Sequence, residues 1–162
     1  MNKGKLIVVS GPSGVGKDTV VSEYLKLHPE DVLSVSMTSR PKRDYEVDGV
    51  HYYFKTKEGF EEEIEKGNLL EYALYNGNYY GTPLDKVNEQ LDQGNEVVLE
   101  IEVEGAIQVK RKVPDCVMIF IVPPGKQALY DRLKRRGTEN EDVIAERIAK
   151  ANREFKLAHL YD

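Results

Sequence analysis

The run Gly11-Pro12-Ser13-Gly14-Val15-Gly16-Lys17 has the residue types and spacing of a phosphate cradle. Glycines free consecutive backbone N–H groups to point into one concavity, and the lysine that closes the run is a long, mobile cation. A G-x-x-x-x-G-K run of this kind binds a nucleoside triphosphate, and the helix that follows it adds positive potential from its N-terminus. The candidate triphosphate site therefore comprises Gly11, Pro12, Ser13, Gly14, Val15, Gly16, Lys17, Asp18 and Thr19. Many loops of this type place an Mg²⁺-ligating hydroxyl directly after the lysine, where this chain has Asp18. Asp18 could hold the metal directly or through water, or it could simply favour the helix N-terminus. Residue type alone leaves these readings open.

Such a loop works only between a strand and a helix. Lys5 to Ser10 is a continuous aliphatic run of strand length. After the loop, Val20, Val21, Tyr24 and Leu25 recur at helical spacing until His28-Pro29 stops them. Glu96 to Ile101 and Cys116 to Val122 are further aliphatic runs without alternation, the pattern of strands covered on both faces. Helices are predicted over Glu104 to Lys112, from about Gln127 to Arg136, and from Asp142 onward through Val143, Ile144, Ile148 and Ala151. A parallel sheet flanked by helices, an α/β architecture, follows. The stretch from Val35 to Pro83 differs, being rich in tyrosine and in turns such as Asp48-Gly49 and Asn76-Gly77, with one short helix between Thr56 and Gly67. It reads as a mixed α/β insert, ending at a helix with Thr82 as N-cap, Pro83 at its first position and Gly94 after its end.

Composition is consistent with this picture. The 162 residues carry a net charge of −5, with 40% hydrophobic and 31% charged residues, which suits one globular domain rather than a disordered or low-complexity chain. No apolar run approaches the roughly 18 residues of a membrane span, and the N-terminal apolar stretch is too short for a secretory leader. A cytoplasmic protein with no membrane partner is expected. The net acidity argues against nucleic acid as partner. Cys116, the one cysteine, is expected in the core. His28, His51 and His159 match no metal spacing. Lys110-Arg111-Lys112 reads as a solvated face.

The second substrate is indicated by motifs in the insert and beyond it. Ser36-Met37-Thr38-Ser39-Arg40-Pro41-Lys42-Arg43, Asp48-Gly49-Val50-His51-Tyr52, Glu71-Tyr72 and Gly77-Asn78-Tyr79-Tyr80-Gly81-Thr82 closely resemble the nucleotide-monophosphate region of guanylate kinases. The resemblance continues through Glu100-Ile101-Glu102-Val103-Glu104-Gly105 and the lid-like Arg132-Leu133-Lys134-Arg135-Arg136-Gly137-Thr138-Glu139, and so covers nearly the whole chain. It implies a P-loop kinase with a core over 1–34, 84–125 and 149–162, a GMP-binding subdomain over 35–83 and a helical lid over 126–148. Ser36, Arg40, Arg43, Tyr52 and Tyr80 would then bind the GMP phosphate, while Glu71, Thr82 and Glu102 would read guanine. Arg132 resembles a residue beside the ATP base, and Arg136 and Arg147 resemble arginines that fold over the transferring phosphoryl group. Asp44-Tyr45-Glu46 departs from the family pattern, which usually carries glycine before the glutamate.

The activity implied is transfer of the γ-phosphoryl group of ATP to GMP, and to dGMP, with Mg²⁺ as cofactor and Lys17, Arg40, Arg136 and Arg147 as the catalytic cations. Glu100, at the end of its strand, would orient the metal or its waters, with Asp18 as a second candidate. ATP and GMP are the partners expected; a homodimer is left open. A guanylate-kinase-like module that holds phosphopeptides without catalysis is the rival reading, but such modules resemble enzymes with degraded P-loops, and here Lys17 and the loop glycines are intact. A GTP-hydrolysing switch would need an Asn-Lys-x-Asp type motif, which the sequence lacks. The resemblance also implies one further strand and a closing helix beyond Leu160-Tyr161-Asp162, with an asparagine that helps hold adenine.

Overall fold

The computed structural model describes residues 3–135 and 140–162. At its centre, β1 (Leu6–Ser10) lies between β7 (Val97–Glu100) and β8 (Val117–Phe120), and β2 (Val32–Leu33) extends the sheet in the order β2-β7-β1-β8. All pairings are parallel, with Val8 opposite Leu99 on one side and Met118 on the other. Alternate residues of β1 serve opposite faces. Leu6 and Val8 join Leu99, Met118 and Cys116 under α3 (Leu84–Asp92) and α4 (Val103–Lys112), through Val87, Leu91, Ala106 and Val109. Ile7 and Val9 face the other way, onto Val21, Tyr24 and Leu25 of α1 (Lys17–Leu27). The expected parallel sheet between helices is thus present, and Cys116 is buried.

A second sheet, ordered β4-β3-β6-β5, is built from β3 (Met37–Thr38), β4 (Tyr53–Phe54), β5 (Leu69–Tyr75) and β6 (Asn78–Pro83). β5 and β6 form an antiparallel hairpin whose turn residues, Asn76 and Gly77, both adopt positive φ (48° and 76°). That is the conformation Asn-Gly provides. The helix α2 (Lys57–Glu65) covers the sheet with Phe60, and Thr56 Oγ1 caps it by accepting from the Gly59 N–H at 3.0 Å. Toward the C-terminus, α5 (Lys126–Arg135) and α6 (Glu141–Phe155) pack through Leu129, Leu133, Ile144 and Ala151.

Four expectations need correction. Thr82 is not an N-cap: it sits inside β6, and its hydroxyl is committed to a side chain of β5, so α3 starts after Pro83 without a side-chain cap. Val20 is 51% exposed, because the buried stripe of α1 runs through Val21, Tyr24 and Leu25 instead. Among the described residues β8 is not covered on both faces: it is an edge strand, with Met118 buried but Val117 and Ile119 exposed. The Lys110-Arg111-Lys112 cluster is not merely solvated, since Lys110 Nζ donates to the Cys116 carbonyl and Lys112 Nζ to the Leu69 carbonyl, each at 2.9 Å.

Candidate active site

The glycine loop leaves β1 at Ser10 and enters α1 at Lys17. Gly14 and Gly16 have φ of 85° and 92°, which side chains other than glycine rarely adopt. Close approach adds a second requirement, because a Cβ at Gly11 would stand 2.7 Å from the Ile121 carbonyl and one at Gly14 2.7 Å from Leu133 Cδ2 of α5. The loop is held from outside by two arginines. Arg132 of α5 donates to the Val15 carbonyl, and Arg147 Nη1 of α6 donates to Ser13 Oγ at 3.2 Å. Arg136 lies outside the described residues.

Glu100 ends β7 in register with Val9, one residue short of the loop's origin. Burial pushes its carboxyl above the usual range, the Lys17 ammonium draws it back, and the Asp18 carboxylate pushes it up again. Asp18, exposed in the first turn of α1, thus shares a field with Glu100 and Lys17. Among the described residues no group of three or more His, Cys, Asp or Glu side chains is gathered for a metal. Two carboxylates beside a phosphate loop nevertheless suit Mg²⁺, which usually takes one or two protein carboxylates and fills its octahedron with waters and substrate phosphates.

The second sheet assembles a separate group of arginines and tyrosines. Arg40 lies over Tyr52, its Cζ 5.5 Å from the ring centroid, and the Tyr52 and Tyr80 rings meet edge to face at 6.2 Å. Ser36 is adjacent, its carbonyl accepting from the Tyr53 N–H at 2.8 Å. Arg43 is exposed and donates from Nη1 to the Tyr45 hydroxyl at 2.9 Å. The guanidinium of Arg40 is fixed by Glu46, a residue to which sequence reasoning gave no role.

The base-reading candidates separate into a buried pair and an exposed partner. Thr82 Oγ1 donates to Glu71 Oε1 at 2.7 Å, with both side chains buried. Burial raises the Glu71 carboxyl, while the Thr82 hydroxyl and the Lys112 ammonium oppose that rise. Glu71 is seated against the backbone of α4, because a Cβ at Gly105 would fall 2.6 Å from Glu71 Oε2. Glu102 immediately precedes α4, so it stands one turn from that seat, and its Oε2 accepts from Lys150 Nζ of α6 at 2.8 Å. Gly105 and Lys150 were not singled out as site residues. The former is legible only once Glu71 is known to pack on α4, and the latter only once α6 is known to reach Glu102.

The guanylate kinase family model matches residues 3–162. The chain is 57% identical over 162 residues to a guanylate kinase of Streptococcus pneumoniae, covering 99% of this chain and 78% of that protein. It is likewise 57% identical over 161 residues to one from Streptococcus mutans, with 99% and 77% covered. The crystal structure of guanylate kinase from Anaplasma phagocytophilum superposes with a TM-score of 0.72 at 31% identity, covering all of this chain and 76% of that one. A family model spanning residues 3–162 and relatives 57% identical over nearly the whole chain show that the chain belongs to the guanylate kinase family.

Proposed function

We propose that the chain phosphorylates GMP with ATP, giving GDP and ADP, and that dGMP serves as a second acceptor. The buried Glu71–Thr82 pair is the observation that supports this most directly. A carboxylate there accepts from the ring N–H and exocyclic amine of guanine, whereas adenine presents an acceptor at the ring position and would leave Glu71 unmatched. Glu102 reads the same base from the solvent side. Ser36, Arg40, Arg43, Tyr52 and Tyr80 grip the GMP phosphate, the arginines as planar forks and the tyrosines as directed donors.

Lys17 and the loop N–H groups hold the ATP phosphates, with Asp18 and Glu100 orienting Mg²⁺ or its waters. Mg²⁺, when bound, neutralises charge developing on the phosphoryl oxygens. No general base is needed, because a phosphate monoester with a second pKa of about 6 is already largely dianionic at neutral pH. Residues 126–148 serve as the lid over the 35–83 subdomain, Arg147 and Arg136 act on the transferring phosphoryl group, and Arg132, which holds the Val15 carbonyl, serves the ATP base side. Closure excludes water, which otherwise would compete as acceptor. A coupled assay for ADP run with GMP, dGMP, AMP, UMP and no acceptor tests the reading. Turnover with GMP and dGMP alone is expected. Equal turnover with AMP, or none with any acceptor, overturns it.

A further inference from the structure

The helix α6 carries two stripes. Ile144, Ile148, Ala151 and Phe155 pack with α5, while Arg147, Lys150 and Glu154, spaced three and four apart, share a second face. That second face touches two candidate sites: Arg147 donates to Ser13 of the phosphate loop at 3.2 Å, and Lys150 donates to Glu102 Oε2 at 2.8 Å. Lys150 is also 3.7 Å from Glu154 Oε1, one turn further along. Glu154 is only 7% exposed, and its other oxygen, Oε2, has no hydrogen-bond partner. Lys150 is thereby drawn from below by a buried carboxylate and spans upward to Glu102.

Resting on the reading of Glu102 as a guanine contact, we infer that Lys150 is a positioning residue for base recognition, fixing Glu102 through Oε2 so that Oε1 is presented to guanine. A glutamate ahead of the first turn of a helix has a long, rotatable stem and samples several rotamers. The contact to Lys150 selects one of them and leaves an acceptor oxygen available. The geometry is one-sided: Lys150 engages only Oε2, and a carboxylate retains capacity on its second oxygen. Glu154 makes Lys150 the reliable partner, since an ammonium without that buried countercharge would be free to swing into solvent. The same helix thus reports to the ATP loop through Arg147 and to the guanine through Lys150.

The test compares Lys150→Met and Lys150→Arg with the unaltered chain, and repeats Lys150→Met in a Glu102→Gln background. KM for GMP is expected to rise about fivefold in Lys150→Met, the factor that corresponds to a half-exposed ion pair. The GMP to AMP ratio of kcat/KM falls by the same factor, with kcat at saturating GMP and KM for ATP unchanged. Lys150→Arg recovers most of the loss, and Lys150→Met adds nothing once Glu102 is Gln. Melting temperatures of all variants establish that they fold. Unchanged KM for GMP in Lys150→Met, or a decrease showing that Lys150 competes with guanine, overturns the inference. So does an equal loss in the Glu102→Gln background. If Glu102→Gln alters selectivity but Lys150→Met does not, the positioning role alone fails; if Glu102→Gln itself leaves GMP selectivity intact, the reading of Glu102 fails and the inference with it.

Discussion

Arg40 and Glu46 meet in a two-point ion pair, Nη2 to Oε1 at 2.7 Å and Nη1 to Oε2 at 3.1 Å, and Glu46 also accepts from the Arg43 N–H at 2.8 Å. With side chains 17% and 5% exposed, this pair sits well away from bulk water and holds the turn that carries both Arg40 and Arg43. The matched planes of guanidinium and carboxylate give direction as well as attraction. One edge of Arg40 is committed to Glu46, its Nη1 also donates to the Pro41 carbonyl at 2.9 Å, and the guanidinium lies over the Tyr52 ring.

Replacing Glu46 by Gln should release that constraint. We expect KM for GMP to rise about tenfold while KM for ATP is unchanged, since removing one partner of a charged hydrogen-bonded pair leaves the other misdirected. The pair also has a pH signature. Arg40 holds the Glu46 carboxyl down to about 2, below the unfolded value of about 4.3, so its contribution to stability is complete above the unfolded value and is lost as pH falls toward 2. Melting temperatures should therefore differ between the two proteins at pH 7 and converge in strong acid. Equal melting temperatures at pH 7 would show that the pair holds Arg40 without stabilising the fold.

Glu71 carries the opposite sign. Burial raises its carboxyl, so the folded chain retains the proton to higher pH than the unfolded chain, and its ionisation at neutral pH opposes folding. Glu71→Gln keeps the shape and the Thr82 contact without the buried charge. A higher melting temperature at pH 7 is expected, together with a fall of about 10²-fold or more in the GMP to AMP ratio of kcat/KM. The melting-temperature gain should shrink on acidification, as the native carboxyl takes up its proton.

Sequence alone carried the phosphate loop furthest, because its glycines are dictated by backbone conformation and Lys17 by charge; these are local demands that local residues answer. The strands β1 and β7 were legible for a similar reason, as continuous aliphatic runs buried on both faces. The misreadings share a different cause. Thr82 has the type and position of a cap but is claimed by Glu71, eleven residues earlier, across the β5–β6 ladder. Lys110 and Lys112 look like surface charge until their ammonium groups are seen on carbonyls of β5 and of the turn before β8. Glu46 and Lys150 were silent because their partners are fixed by a turn and by a distant helix, neither of which has a periodicity to read.

Gly105 supplies a test that separates helix stability from base recognition. In an ordinary helix, alanine for glycine is favourable by about 1 kcal/mol. Here the new methyl group would stand 2.6 Å from Glu71 Oε2, closer than real contacts allow, and 3.1 Å from its Cδ. The side chain of Glu71 must give way, and with it the oxygen proposed to accept from guanine. Gly105→Ala is expected to raise KM for GMP about tenfold with little change in melting temperature, the gain in helix propensity offsetting the displaced carboxylate. Unaltered GMP kinetics would show that Glu71 has room to retreat without losing the base.

Asp18 decides between metal chemistry and helix chemistry at the phosphate loop. It occupies the first turn of α1, where a carboxylate is worth about 0.3–1 kcal/mol to the helix, and it also shares the field around Glu100 and Lys17. Asp18→Ser restores the hydroxyl common at this position and removes an anion beside the triphosphate. If Asp18 attracts Mg²⁺ or orders its waters, the half-saturating Mg²⁺ concentration at fixed ATP should rise about fivefold in the serine variant, the scale of one exposed charge contact. Asp18→Asn, which keeps the size and a neutral oxygen, should lie between the two proteins. Superimposable Mg²⁺ titrations in all three, accompanied by a lower melting temperature in both variants, would assign Asp18 to the helix N-terminus and leave Glu100 as the carboxylate that serves the metal.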